Sequence, residues 1–372
     1  MIRIMVYLAT AVVLLHGLVH LIGFVAYWPL AEIAGLPYKT TLLGQRWAID
    51  SGGMRLYSVL WLGTAVALVA ATAGLIAGRS WGLPLMTAAV IVSLIITALD
   101  WGNAFRGFIL NLVLLVPLLL VWGLRVQPQP FSAYPGTSSQ LYSMPMPDDL
   151  PSPVARYYQT IVGERIPVIE SAVITAHGTV RFAGITFPAR MRFIHEAGLG
   201  YRHYIEATFF GYPLMKVNER YLDGQARMEI PGGVVENESK VDMAANLGLW
   251  GESIWLPSIY LTDPRVRWEA IDDNTAMLVV PFAEGQDSFK VNFDPESGLI
   301  ANMEALRYRE ATDVQKIPWL LEPLAWKEHS DLLIPSRSAA TWADEGTPWL
   351  IVEVDQIVYN VDVDEYIRAR GA

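Results

Sequence analysis

Hydrophobic and polar positions change their rhythm twice along this chain. Residues 4–31, 56–78, 80–99 and 107–124 contain no Asp, Glu, Lys or Arg. A helix needs about 20 mostly apolar residues to cross a bilayer's hydrocarbon core and satisfies its own backbone there. The pattern therefore predicts four transmembrane helices near 4–28, 55–77, 81–100 and 107–124. Tyr27, Trp28, Trp81, Trp101 and Trp122 fall at their ends, as an interfacial belt would place them. The first apolar run exceeds the roughly 7–15 residues of a secretory signal, and no small-residue cleavage site follows, so it is expected to remain as a helix.

Residues 126–153 carry seven prolines. Proline fixes φ and removes a donor, which predicts an extended linker without regular structure. Residues 153–163 then read as a short amphipathic helix, with Val154, Tyr157, Tyr158 and Ile161 on one face. From there the period changes from 3.6 to 2. Alternation over 172–182, 189–197, 201–210, 215–224, 226–230, 266–271, 276–282, 288–293, 299–309, 337–343 and 350–363 predicts eleven half-buried antiparallel strands, punctuated by Gly and Pro. One helical insertion, 238–261, has Val241, Ala244, Ala245, Leu249, Ile254 and Trp255 on one face. It is expected to break near Gly248–Gly251 and to end at Pro257. Helices inside a strand meander must cover a face of the sheet.

The predicted organisation is thus a four-helix transmembrane bundle over 1–125, a linker over 126–153, and an α+β, mostly strand domain over 154–372. That domain is a strongly curved antiparallel sheet with a helical element across its concave side. Charge agrees with the division: residues 1–129 hold seven Lys/Arg and three Asp/Glu, whereas the rest holds 20 and 34. An acidic outer half with no basic patch excludes nucleic acid as a partner. The absence of cysteine excludes thiol nucleophiles, disulfides, thiolate zinc sites and iron–sulfur ligation. The positive-inside rule gives no orientation, with Arg3, Arg79 and Arg125 on one side against Lys39, Arg46, Arg55 and Arg106 on the other.

Ionisable groups at membrane depth are functional candidates by default. His16 and His20, four residues apart in HGLVHLIGF, share a helix face. They could ligate a metal or haem or relay protons, or simply hydrogen-bond neighbouring helices, with Gly17 and Gly23 allowing close approach. In DWGNAFRGFILN, Asp100 and Arg106 are expected to bridge a turn before the fourth helix. The alternative has Asp100 and Asn111 facing His16 or His20. In the outer half, His177, His195, His203 and His329 read as isolated. His195, Glu196, His203 and Glu206 cannot all converge, because alternation puts neighbours on opposite faces. Glu252 lies in an apolar helix, where an unpaired charge is costly. It is expected to cap the half-helix after Gly251, to pair with Arg307 or Arg309, or to act as an acid or base. No catalytic triad, phosphate loop or zinc-protease motif appears, and no cofactor, metal or catalytic residue is assigned.

HGLVHLIGF, DWGNAFRGFILN, PSPVARYYQTIVG and GLWGESIWLPSIYL with VRWEAIDD together resemble an uncharacterised family of bacterial membrane proteins, a domain of unknown function with four helices ahead of a strand-rich part. By pattern and element order, that part also resembles the lipoprotein-carrier (LolA-like) fold, a half-barrel whose helix-covered concave face accepts acyl chains. The resemblance implies an apolar pocket beneath 238–261, built from Phe209, Phe210, Trp250, Trp255, Tyr260, Trp268 and Phe282; the interruption of that helix suggests that it swings to open the pocket, with Gly248 and Gly251 as hinges. The resemblance also implies an inner-membrane protein, its outer domain extracytoplasmic, that binds or hands on lipid or another apolar molecule. The alternatives are a redox, haem, quinone or metal module using His16 and His20, and a structural protein that docks a partner not named by the sequence.

Overall fold

The computed structural model describes residues 2–124, 141–209, 211–230 and 233–368. The chain forms two compact units, one of residues 1–125 with 209–214, which holds the long helices, and one of residues 126–208 and 215–372.

Among the described residues, the helical unit holds α1 (Ile2–Tyr27), α2 (Ser51–Ile76), α3 (Gly82–Leu99) and α4 (Trp101–Leu124). Each is long and apolar enough to cross a membrane. Polarity is inverted relative to a water-soluble bundle. Leu18, Val19, Leu56, Val66, Ile95, Val113 and Leu119 are exposed, while His16, His20, Ser93, Thr97 and Asn111 are buried. Gly23 lets α1 approach α2, since a Cβ there would stand 2.4 Å from the Trp61 ring. One boundary differs from expectation. The helix α4 begins at Trp101, so Arg106 lies inside it and only Asp100 separates it from α3. A single exposed arginine is tolerated in a first helical turn or two, which a search for uncharged windows cannot see.

The second unit is dominated by one sheet. Its described strands are β1 (Ser171–Phe182), β2 (Ile185–Glu196), β3 (Gly200–Phe209), β4 (Tyr212–Leu222), β5 (Gln225–Ile230), β6 (Gly233–Glu236), β7 (Arg267–Asp272), β8 (Thr275–Phe282), β9 (Gly285–Phe293), β10 (Ile300–Arg307), β11 (Ile317–His329), β12 (Leu332–Trp342) and β13 (Pro348–Tyr359). Their spatial order is β6-β5-β4-β3-β2-β1-β13-β12-β11-β10-β9-β8-β7, curved and not closed. Two meanders, β1–β6 and β7–β13, therefore meet at a single seam, where β1 pairs antiparallel with β13. Gly178 lies on that seam; a Cβ there would meet the Ile351 carbonyl oxygen at 1.9 Å. Asn360 secures the seam's end, its Oδ1 accepting from the Glu170 backbone N–H at 2.7 Å and its own backbone N–H donating to the Ser171 carbonyl at 2.9 Å.

The two edge strands, β6 and β7, are consecutive in sequence. The chain between them must run from one edge of the sheet to the other, and it does so as α6 (Ser239–Glu252), a 3₁₀ turn (Ser253–Trp255) and α7 (Ile259–Thr262). With α5 (Ser152–Val162), this crossover packs on the face carrying Ile174, Phe193, Tyr201, Phe289 and Met303 in one continuous core. The opposite face carries a smaller cluster in which α8 (Asp364–Arg368) adds Ile367 to Val173 and Ile194. The crossover is tied down by hydrogen bonds. Tyr158 Oη donates to the Pro257 carbonyl (2.7 Å), Tyr359 Oη to that of Trp255 (2.9 Å), and the Trp255 indole to that of Pro335 (3.0 Å).

Several expectations need correction. The helix α6 runs unbroken through Gly248 and Gly251. These glycines serve close packing, with a Cβ at 251 meeting Leu321 Cδ1 at 2.4 Å. Part of the expected linker is ordered, since Ser143–Pro145 pairs with Arg165–Pro167; residues 126–140 of it lie outside the described residues. Two strands escape the alternation pattern, the four-residue β6 and the thirteen-residue β11. Prolines at 318 and 323 argue against an interior strand, yet β11 pairs on both sides and takes up Pro323 at a register shift.

Candidate functional site

Antiparallel pairing sets which side chains meet beneath the crossover. His195 lies opposite Tyr201, and Phe193 opposite His203, so odd-numbered residues of β2 and β3 share the covered face. His195 and His203 are diagonal neighbours on it, with ring centroids 5.5 Å apart. The last residue of α6 completes the group. Glu252 Oε2 stands 3.0 Å from His195 Nε2 and 2.7 Å from His203 Nε2. The two contacts are unequal in kind. His195 Nε2–H donates to the carboxylate, whereas His203 Nε2 is buried and makes no hydrogen bond among the described residues. The His203 ring is stacked on Tyr201 at 3.9 Å, with Phe193 edge-on at 4.7 Å, so its orientation is set by packing.

Around this knot lies a cavity with about 70 Å³ open to the centre of a water-sized sphere, walled by Trp255, Trp319 and Trp349 together with Leu321, Leu350 and Val352. His203 and Glu252 reach it from one side, and Tyr201, Glu219 and Arg307 complete its polar lining. Tyr201 Oη donates to Glu219 Oε1 at 2.5 Å, and the Arg307 guanidinium lies over the Trp319 ring at 4.3 Å. Burial by itself raises the Glu252 carboxyl, but the charge of His203 beside it and the hydrogen bond from His195 outweigh it and hold the group at about 2. Burial lowers His195 below its ordinary value against the pull of Glu252. It also lowers Arg307, with Glu219, Tyr201 and Glu252 opposing. The result is an apolar chamber with a few fixed, convergent charges.

Sequence reasoning misassigned the partners here. Glu252 neither caps a second half-helix nor pairs with Arg309, which binds Asp344 and Glu345 instead. His195 and His203 are not isolated, because register over a sheet brings together residues that local pattern treats singly. Their neighbours in sequence do point away. Glu196 faces Arg368, and Glu206 accepts from Arg190 and Tyr204. His177 pairs with Asp355, and His329 lies edge-on to Tyr359. Of the expected pocket residues, Trp255 lines the cavity. Trp250 and Tyr260 are fully buried core, joined by a 2.6 Å bond from Tyr260 Oη to the Trp250 carbonyl. Trp268 and Phe282 are half-buried against the same core. Phe210 and the side chain of Phe209 lie outside the described residues. The cavity's other tryptophans went unseen because Trp319 sits in the proline-bearing strand and Trp349 just ahead of the 350–363 run read as a strand.

In the helical unit, the structure joins His16, His20 and Asn111 and leaves Asp100 apart. Carbonyl acceptors fix the direction of the chain of bonds. His20 Nδ1–H donates to the His16 carbonyl (2.7 Å), which leaves Nε2 to accept from Ser93 Oγ (2.7 Å). Asn111 Nδ2 donates to Ser93 Oγ (2.7 Å), and His16 Nε2–H donates to Asn111 Oδ1 (2.8 Å). Both imidazoles are neutral in this scheme, in opposite tautomers. Asp100 instead accepts from Tyr27, Lys39 and Asn103. Its expected partner Arg106 lies over the Phe105 ring.

Residues 140–354, more than half of the chain, match a family of unknown function (DUF6544), and the chain belongs to that family. No curated protein matches it. Among solved structures it is similar to a LolA superfamily protein from Nitrosomonas europaea, at 10% identity over 59% of this chain and 96% of that one, with a TM-score of 0.36. It is also similar to a DUF1329 family protein from Desulfovibrio piger, at 9% identity over 54% of this chain and 90% of that one, with a TM-score of 0.34. At these scores neither similarity bears on ligand or activity.

Proposed function

We propose that this is a membrane-anchored binding protein for a lipid or another apolar molecule with a polar end, taken up in the cavity beneath α6. The observation that carries the reading is the cavity itself, a partly open space with three tryptophan walls and a small set of fixed charges. Ligand sites are commonly of this kind, apolar with a few convergent polar groups. A single water needs about 10–15 Å³ of such space, so the chamber takes several waters or one short apolar segment. A longer ligand requires the crossover to move.

The anchor is the helical unit. Its exposed leucines and valines and its buried histidines, serine and asparagine suit a surrounding hydrocarbon, in keeping with an inner-membrane protein. Both ring nitrogens of His20 are engaged by protein groups, which does not favour the haem or quinone alternative.

The test uses the full chain in nanodiscs and bromostearic acid as the probe. Saturable quenching of tryptophan fluorescence, reduced in Trp255→Phe and Trp319→Phe but not in Trp122→Phe, is the expected result. Quenching that is unsaturable, or indifferent to the cavity tryptophans, overturns the reading.

A further inference from the structure

We propose that His195, His203 and Glu252 form a binding site for a divalent first-row transition metal, with an open coordination position facing the cavity. The donor set is two imidazoles and one carboxylate. Nitrogen-rich sets of this kind favour zinc, iron, cobalt or nickel over calcium and magnesium, and three protein ligands with a vacant position characterise open sites. The inference does not depend on the apolar ligand, because an ion would be held whether or not the chamber takes lipid.

Three observations carry it. First, the spacing fits. Metal–nitrogen and metal–oxygen bonds of about 2.0–2.2 Å set adjacent ligand atoms roughly 3 Å apart. Here the carboxylate oxygen stands 3.0 and 2.7 Å from the two nitrogens, and the three donor atoms lie within 4.8 Å of one another. Second, hydrogen bonding satisfies neither imidazole in full, since His195 Nδ1 and His203 Nε2 are both buried without a hydrogen-bond partner among the described residues. His203 Nε2 stands 2.7 Å from the carboxylate without making a hydrogen bond, and it is buried without another partner among the described residues. A buried polar atom left so calls for an explanation, and a cation uses the nitrogen's lone pair where a carboxylate needs its hydrogen. Third, the ligands come from rigid elements, two adjacent strands and the last turn of α6. Tyr201 and Phe193 hold the His203 ring, and such preorganisation is what a metal site requires. His203 and Glu252 line the cavity, so the fourth ligand is a water or a polar group of whatever enters.

The experiment uses full-length protein in detergent, stripped with chelator and titrated with Co²⁺, then with Zn²⁺ as competitor. One Co²⁺ per chain is expected, with a visible absorption band that one equivalent of Zn²⁺ abolishes. Glu252→Gln and His203→Asn should each weaken binding by more than about tenfold, the lower end of what even outer-shell losses cost. The double substitution His16→Asn with His20→Asn should leave the titration unchanged. Unchanged thermal unfolding of the metal-free variants shows that the fold persists. Should a variant fail to fold, zinc-edge X-ray absorption on the unaltered protein decides, with two imidazoles and oxygen in the shell expected. Binding below one equivalent, a shell of oxygen alone, or binding that survives both site substitutions or follows His16 and His20 overturns the proposal.

Discussion

Two buried histidine pairs sit in two units of opposite polarity, and they are resolved differently. In the helical unit, His16 and His20 are one turn apart, and each of their hydrogen bonds described goes to a neutral amide, hydroxyl or carbonyl. In the strand-rich unit, His195 and His203 come from adjacent strands and converge on an ionised carboxylate. The first network closes on itself with each proton assigned. The second leaves two nitrogens, His195 Nδ1 and His203 Nε2, without a hydrogen bond among the described residues and opens onto a chamber. The contrast separates polar groups that hold helices together from polar groups held ready for something else.

The contrast can be tested through the cost of removing partners. The largest effect is expected from His195→Ala with His203→Ala, which strands the Glu252 carboxylate. Breaking a buried pair in this way costs about 3–5 kcal/mol, read by denaturant unfolding of the strand-rich unit, and adding Glu252→Leu should restore most of it. In the bundle, Gly23→Ala drives a Cβ into the rigid Trp61 ring, an overpacking cost of about 1–3 kcal/mol, seen as a lower thermal midpoint in detergent. Asn111→Leu removes the shared partner of His16 and Ser93. Interhelical hydrogen bonds in membranes average about 0.6 kcal/mol, so a loss near 1 kcal/mol is expected. A loss as large as that of the double histidine variant would erase the contrast. Smallest is Gly251→Ala. The new Cβ meets the mobile end of Leu321, which can turn aside, so less than about 1 kcal/mol is expected, with probe affinity altered more than stability.

Much of the fold is legible in the sequence because each unit obeys one strong period. Charge-free windows locate the four long helices, and alternation locates eleven strands together with the helical crossover. What escapes is governed by tertiary context. The strand β11 carries Pro318 and Pro323, and only its two neighbours and a register shift make it a strand. The start of α4 is hidden by Arg106. The site is less legible still. The shared face of His195 and His203 follows once the β2–β3 register is known, but Glu252 arrives from an element 49 residues further on than His203, and no periodicity encodes that meeting. Aromatic residues were visible as a class, yet composition cannot separate Trp255, at the chamber wall, from Trp250, in solid core.

The seam between β1 and β13 has a kinetic consequence. Each meander is built from hairpins and can zip locally, whereas the seam joins segments at opposite ends of the domain's sequence and closes a very long loop. Pairings of such high contact order form slowly, because the entropy of closure must be met before any contact returns it. Refolding of the strand-rich unit should therefore be limited by this single central junction, and until it forms, β1 and β13 each present a bare edge on which other chains can pair.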